Sequence, residues 1–292
     1  MTAPTNRFER LQAILACPTC YEGLDFRVDG ATCPRCLAHY PIRNGKIYFT
    51  PVPSRTDELD NLKGGLKNQL GKYYYNIGLK ILAPTYPFDY ARWIHRYLDP
   101  ANQVVVDVGC GNHRIDEHII CLDLFDYDAV DVVCDLNALP FKPNSVDAFV
   151  SRSVLEHLPD PSTVVSNFHR CTRPGGLSLH LAPFLFPFHA SPHDFHRYTH
   201  RGFEILFKDW EIVKQTNATG PVTLVLISAI EFLSILISLG RDKAKPFIYL
   251  FLCGILFPLK YLDAPFVNRK SFLTMAPTIF TVVRKHDRSS AS

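Results

Sequence analysis

The spacing of apolar and polar positions changes character along the chain. At Val104-Val-Val-Asp-Val-Gly-Cys-Gly-Asn112 a β-branched run ends in a glycine turn, the pattern of a buried parallel strand that delivers its carboxyl end to a ligand. Further runs at Ile119–Leu124, Asp131–Cys134, Ala148–Ser151 and Leu177–Ala182 predict four more strands. Helical spacing lies between the later ones, and Arg173-Pro-Gly-Gly176 turns the chain into the last. Trp210–Ala218 and Ala276–Arg284 predict a sixth and a seventh strand that pair with each other. Strands alternating with helices imply an open α/β sheet whose site lies along the carboxyl edge.

Two stretches fall outside that rhythm. Residues 54–100 predict a helical linker, interrupted by Gly64, Gly65 and Gly71 and closed by an apolar stripe of Tyr90, Ile94, Tyr97 and Leu98 before Pro100. Between strands six and seven, Pro221-VTLVLISAIEFLSILISL-Gly240 and Pro246-FIYLFLCGILFPL-Lys260 are almost wholly apolar. The first approaches the length of a bilayer span but has Glu231 at its centre, and the second is too short. A hairpin through the bilayer would also put Arg241, Lys243 and Lys245 on the far side, against the positive-inside tendency. Helices that lie on the cytoplasmic membrane face, with the basic residues at anionic lipid, fit better. A homodimer interface or a cap over the substrate pocket would bury the same surface.

Composition narrows the class. At 292 residues, with 47% hydrophobic and 20% charged positions, the chain carries a large core and excludes intrinsic disorder. The net charge of +3 conceals an uneven distribution. Residues 61–240 hold 15 basic against 18 acidic side chains, and residues 241–292 hold nine against three. No concentrated basic face for nucleic acid results. The first residues lack a basic region followed by an apolar run, so no cleaved secretory signal is read and a cytoplasmic, membrane-associated protein is expected. Nine cysteines suit free thiols and a metal better than a disulfide framework.

Four of the nine form two C-x2-C pairs, Cys17/Cys20 and Cys33/Cys36, separated by 12 residues. Tight turns of this kind point both thiolates at one ion, and two turns complete a tetrahedral sulfur shell. Four cysteine ligands leave no open position, so the expected zinc is structural and folds a module, residues 1–53, too small to hold itself by burial. His39 is surplus to that set, and Cys110, Cys121, Cys134 and Cys171 read as small core residues. The surrounding LQAILACPTCYEGLDF and CPRCLAHYPIRNGKIYF resemble, over residues 8–50, the zinc-ribbon family that serves as a small activating subunit of tRNA and protein methyltransferases.

The glycine turn also selects a cofactor. A dinucleotide needs G-x-G-x-x-G opening a full helix, with an acid about 20 residues further on. Here Gly111 to Asp123 is 12 residues, there is no third glycine, and Asn112–His118 can make little more than one turn. S-adenosylmethionine, which has no pyrophosphate, fits better. Residues 88–210 resemble the class I S-adenosylmethionine-dependent methyltransferases, in the group that includes ubiquinone and menaquinone methyltransferases. The resemblance rests on VVDVGCGN (105–112), CLDLF (121–125), DLNALPF (135–141), SVDAFVSRSVLEHL (145–158) and RPGG (173–176). It implies a Rossmann-like core over residues 101–220 whose seven-stranded sheet is completed by the last strand within 272–292, ahead of a disordered tail; the apolar runs between them make an insertion at 221–271. It further implies that Asp107, Gly109, Gly111 and Asn112 line the methionine end of the cofactor. Asp123 would accept the two ribose hydroxyls, and Asp135-Leu136 would meet the adenine. The family's first helix is nearly absent here, so His113 or Arg114 is expected to supply a contact to the methionine carboxylate.

Methyl transfer is an in-line displacement, and an oxygen or neutral nitrogen acceptor must also lose a proton. Two places offer a base: Glu156-His157 after the fourth strand, and the loop from Pro187 to His200, which holds four of the 12 histidines. His189/His193 and His196/His200 are spaced to converge on an ion if helical, but Pro192 breaks the first pair. The expectation is a lid over the substrate, with His189 or His193 as base steered by Asp194, and with His157 either catalytic or ordering the chain. The acceptor is expected to be an apolar or membrane-linked small molecule. The contrasting function is a non-catalytic scaffold that recruits a partner through its ribbon.

Overall fold

The computed structural model describes residues 7–53, 81–189, 193–241 and 244–286. Residues 54–80 of the linker, Pro192, Lys243 and the tail beyond 286 lie outside the described residues. The β-branched runs form the inner strands of one sheet, β5 (Val105–Val108), β6 (Ile120–Asp123), β7 (Val132–Val133), β8 (Val146–Arg152) and β9 (Thr172–Pro183). They lie parallel in the order β7-β6-β5-β8-β9. Next to β9 comes β11 (Thr278–Lys285), antiparallel, and beyond it β10 (Trp210–Asn217) forms the edge. Every residue of β5, β6 and β7 is buried, as continuous apolar strands covered on both faces must be.

The helices cover this sheet. Helix α2 (Tyr90–Tyr97) starts at Asp89, whose carboxylate accepts from the Arg92 amide, and it buries Tyr90 and Ile94 against Phe280 and Val150. After it comes α3 (Pro161–Cys171), between β8 and β9, with Asp160 accepting from the Ser162 and Thr163 amides and Pro161 in the first turn. Its Val164, Val165, Phe168 and Cys171 join the main core. The segment between β5 and β6 forms only turns.

At the other edge the cysteine-bearing segment continues the sheet. Strands β1 (Asp25–Phe26), β2 (Gly30–Thr32), β3 (His39–Arg43) and β4 (Lys46–Tyr48) run antiparallel, and β4 pairs in parallel with β7 through Ile47 opposite Val132 and Tyr48 opposite Val133. Helix α1 (Arg7–Ile14) places Leu11 and Ile14 in the same core as Val106 and Phe149. Arg10 at its centre donates to the carbonyls of Pro100 and Gln103.

The apolar insertion forms α5 (Pro221–Ser238) and α6 (Lys245–Leu256), followed by 3₁₀ turns to Met275. The amino end of α5 is capped from a distance, because buried Asp263 accepts from the amides of Gly220, Val222 and Thr223 at 3.1, 2.8 and 2.8 Å. Glu231 forms an ion pair with Lys245. Among the described residues only one face of the helix pair is covered. Phe232, Leu236, Phe247, Phe251 and Ile255 all stand exposed, Phe247 by 73%. Both Pro221–Ser238 and Lys245–Asp263 are long and apolar enough to cross a membrane, by length and composition alone.

Candidate functional site

The carboxyl ends of β5, β6 and β7 carry Asp107, Asp123 and Asp135, so neighbouring parallel strands put three carboxyl groups on one edge. The turn after β5 is made possible by glycine. Gly109 has φ +66°, and a Cβ there would lie 2.5 Å from Val154 Cγ2. Gly111 has φ +59° and would meet nothing within 4 Å, so at that point the backbone opens toward a ligand. Asp123 draws the turn inward, its Oδ2 accepting from the Gly111 amide and its Oδ1 from the Phe125 amide, both at 2.9 Å. Asp135 accepts from the Asn137 amide at 2.9 Å and thereby starts the 3₁₀ turn that presents Leu136. Asn112 is exposed beside Gly111.

Asp107 is 3% exposed. Burial pushes its carboxyl up to about 7, with Asp123 adding to the rise while Arg152 and Arg114 oppose it. Arg114 is not available for a methionine carboxylate. Its guanidinium makes two 3.0 Å bonds to Asp131 and donates to the carbonyls of Ile119 and Ala129, fastening the β5–β6 connection. The sequence offered a charge near the turn, and the fold uses it structurally.

A second group lies where β8 and β9 end on the same edge. Glu156 and His157 sit in a 3₁₀ turn (Leu155–His157) after β8, and His189 comes from the loop after β9. One side-chain ligand atom from each lies within 4.8 Å of the others. His193 departs from its expected role: its carbonyl, not its ring, meets His157 Nδ1, at 2.5 Å, and the ring packs on Phe195. Asp194 lies beside His189, its Oδ2 3.5 Å from the ring Nδ1. It pairs with Arg197 through both oxygens at 2.5 Å and accepts from the His189 amide at 2.7 Å. Arg197 first, with that amide, holds its carboxyl down at about 2, so Asp194 orders the loop and takes no proton near neutrality. His196 and His200 do not share a helix, because α4 (His200–Leu206) begins only at His200. Beside the loop lies an open surface depression of about 260 Å³ lined by Phe186, Phe188, Phe195, His196, Asp194 and Arg197.

Sequence reading had placed Glu156 beside a candidate base, but not its meeting with His189, 33 positions away in sequence. A carboxylate within an otherwise apolar Val-Leu-x-x-Leu stretch is the signal that marks it.

In the ribbon the four cysteines converge. Cys17 Sγ is 3.5 Å from Cys36 Sγ, Cys20 Sγ is 3.4 Å from Cys33 Sγ, and all four lie within 4.8 Å of one another. These gaps are far longer than the S–S bond of about 2.05 Å. They bracket the edge of about 3.8 Å of a tetrahedron with metal–sulfur bonds of about 2.3 Å. Two matching turns create the cluster: Tyr21 and Leu37, each just after the second cysteine of a pair, take positive φ, and their amides donate to the carbonyls of Cys17 and Cys33. Tyr40 Oη lies 3.2 Å from Cys17 Sγ, where the hydroxyl can donate to a thiolate.

Comparison with known proteins agrees with this geometry. Residues 106–179 match the family described as methyltransferase domain. No curated protein matches the sequence. Among solved structures the fold is similar to phosphoethanolamine N-methyltransferase 2 of Haemonchus contortus in complex with S-adenosyl-L-methionine, at TM-score 0.50 and 16% identity over 80% of this chain. It is equally similar, at TM-score 0.50 and 15% identity over 82% of this chain, to the same enzyme with phosphomonomethylethanolamine and S-adenosylhomocysteine. The chain spans 61% and 62% of the length of those two chains. Residues 106–179 thus resemble a methyltransferase domain, and the α/β fold is similar to that of these two solved structures.

Proposed function

We propose that the chain transfers a methyl group from S-adenosylmethionine to an apolar or membrane-linked small molecule. The observation that carries this reading is the set of three carboxyl groups on adjacent strand ends around a glycine turn that is open beside Gly111. The residues present fit the cofactor. Asp123, at the end of β6, would be the ribose ligand, because a carboxylate can take two hydroxyl donors at once. Gly109, Gly111 and Asn112, with Asp107 beneath them, would hold the methionine end, and Asp135-Leu136 the adenine. When bound, the cofactor supplies an electrophilic methyl on a cationic sulfur.

Asp107 also argues against the scaffold alternative. A carboxyl held at about 7 instead of 3.8 costs the apo-protein about 4 kcal/mol of folding stability at pH 8, which a scaffold would have no reason to bear. The aromatic depression beside Arg197 suits an apolar acceptor with a polar end. The four cysteines would hold one structural zinc, and the exposed face of α5 and α6 would rest on an anionic membrane surface or against a second copy.

Calorimetry with S-adenosylmethionine tests the central claim. Wild-type protein should bind, and Asp123→Ala should bind at least tenfold more weakly while its thermal transition still shows a folded chain. Absence of binding at about 1 mM cofactor, typical of the upper range of enzyme–substrate constants, would remove the enzyme reading.

A further inference from the structure

Glu156 is 0% exposed, and among the described residues neither of its carboxylate oxygens has a hydrogen-bond partner. A buried carboxylate without donors is costly, so something must compensate it. Its nearest charge partners are two imidazole nitrogens, His189 Nε2 at 3.5 Å and His157 Nε2 at 3.8 Å from Oε1. Both distances are too long for the charge-assisted hydrogen bonds that protonated histidines would make. The other ring nitrogens explain why. His157 Nδ1 donates to the His193 carbonyl at 2.5 Å, and His189 Nδ1 lies 3.3 Å from the Pro187 carbonyl and 3.5 Å from Asp194 Oδ2. With its proton on Nδ1, His157 turns its Nε2 lone pair to the carboxylate; His189 does the same in the tautomer that donates to Pro187 or Asp194, whereas the contact of Arg197 Nη2 with its Nδ1 at 3.4 Å uses the other tautomer, which an ion at Nε2 would displace. Arg197 makes no hydrogen bond to Glu156: its guanidinium donates to Asp194 and to the carbonyls of Phe186, Pro187 and His196, and lies 3.4 Å from His189 Nδ1.

Two imidazole nitrogens and a buried carboxylate that converge at these distances, with no hydrogen bond to the carboxylate among the described residues, make a cation site. Ligands about 2.1 Å from a tetrahedral ion stand about 3.4 Å apart. The gaps at Glu156 are 3.5 and 3.8 Å, and all three ligand atoms lie within 4.8 Å, so a small contraction closes the set. Anchoring of each imidazole through Nδ1 by a carbonyl or carboxylate is what metal-binding histidines show. We infer that Glu156, His157 and His189 form a two-histidine, one-carboxylate site for a divalent first-row transition ion. Three protein ligands leave at least one position for water or an oxygen-bearing ligand, as in catalytic rather than structural sites. The site is distinct from the four-cysteine cluster, and its occupancy does not rest on the cofactor reading.

The experiment uses the full chain with its ribbon metal in place. Mn2+ is the first probe because thiolates bind it weakly, and it is followed by electron paramagnetic resonance, in which free Mn2+ is counted directly. Zn2+ is the second, counted by elemental analysis after dialysis. Wild type should take up one Mn2+, or one Zn2+ beyond the ribbon's, per chain. His189→Ala, a loop change, and Glu156→Gln, which keeps the buried shape, should each weaken that uptake on the order of 100-fold while the ribbon zinc stays at one equivalent. Wild type that takes up neither ion, or variants that bind it as well as wild type does, would overturn the assignment. If Glu156→Gln fails to fold, His189→Ala decides. Failure of cofactor binding in calorimetry would leave these outcomes unchanged.

Discussion

Replacing Asp107 by asparagine should stabilise the protein while disabling its site. The folded chain holds this carboxyl at about 7, mainly through burial, against an ordinary 3.8. Between those values the folded state keeps a proton that the unfolded chain has released, so stability falls as pH rises from about 4 to about 7 and is level above. About three units at 1.36 kcal/mol each give about 4 kcal/mol, undiscounted because the group is fully buried. Asparagine has the same shape and does not titrate. The variant should therefore gain on wild type by about 2 kcal/mol between pH 5.5 and pH 8, beyond any constant offset from its new amide. His180, fully buried between Ser151 and Ser178 and pushed down to about 3 by burial, is destabilising in acid, but it is present in both proteins and cancels. Urea unfolding of both proteins across that range, without cofactor, measures the difference. A gap that does not change with pH would show that Asp107 ionises normally in the fold and would refute the argument. The same linkage makes binding of a cationic cofactor weaken as pH falls below 7, because the proton must then be expelled.

Three other perturbations have definite outcomes. Asp131→Ala removes the partner of Arg114 and Arg7 and the acceptor for the Cys121 amide, leaving a partly buried guanidinium unpaired, so urea unfolding should show a loss of about 3 kcal/mol. A loss under about 1 kcal/mol would mean the pair is solvated. Cys33→Ser should lower the zinc content from one per chain to near zero, since three thiolates leave the shell open. Elemental analysis that finds no zinc in wild type purified without chelators would end the zinc reading. Vesicle flotation tests the exposed helices: wild type should float with anionic vesicles, less so in high salt. A chain that stays down with neutral and anionic vesicles alike, yet runs as a dimer, places the apolar face between subunits.

The strand positions were legible because buried parallel strands are continuous β-branched runs, and the runs at Ile119–Leu124 and Ala148–Ser151 need no partner to be recognised. The cysteine spacing likewise announced its cluster, since each knuckle is closed by local turns. What the sequence hid was long-range. Nothing in it says that Arg114 faces Asp131 rather than the glycine turn, because both uses need a basic residue at that point. The histidine loop was legible only in part, for a similar reason. Its sequence offers His189 as a base but does not show the group it meets, Glu156 at the end of another strand. Asp194 does lie beside His189, but no sequence pattern shows that Arg197 also pairs with both of its oxygens.

The junction of ribbon and sheet ties the two chemistries together. Strand β7 is two residues long, and Asp135 follows it by two positions. One side of β7 pairs with β6, and the other is covered by β4, with the Ile47 amide donating to Asp131 at 3.1 Å and the Phe49 amide to Val133 at 2.8 Å. Without the ribbon this short strand would be an open edge with unpaired backbone groups, held by one neighbour alone. A zinc in the four-cysteine cluster would contribute folding free energy on the order of 10 kcal/mol, and the β4–β7 pairing carries part of that to the strand that positions Asp135 and Leu136. On the proposed zinc and cofactor readings the four-cysteine segment would clip this side of β7, and its loss would loosen the adenine end of the proposed site before the methionine end, because β5 is flanked by β6 and β8 and remains covered on both sides.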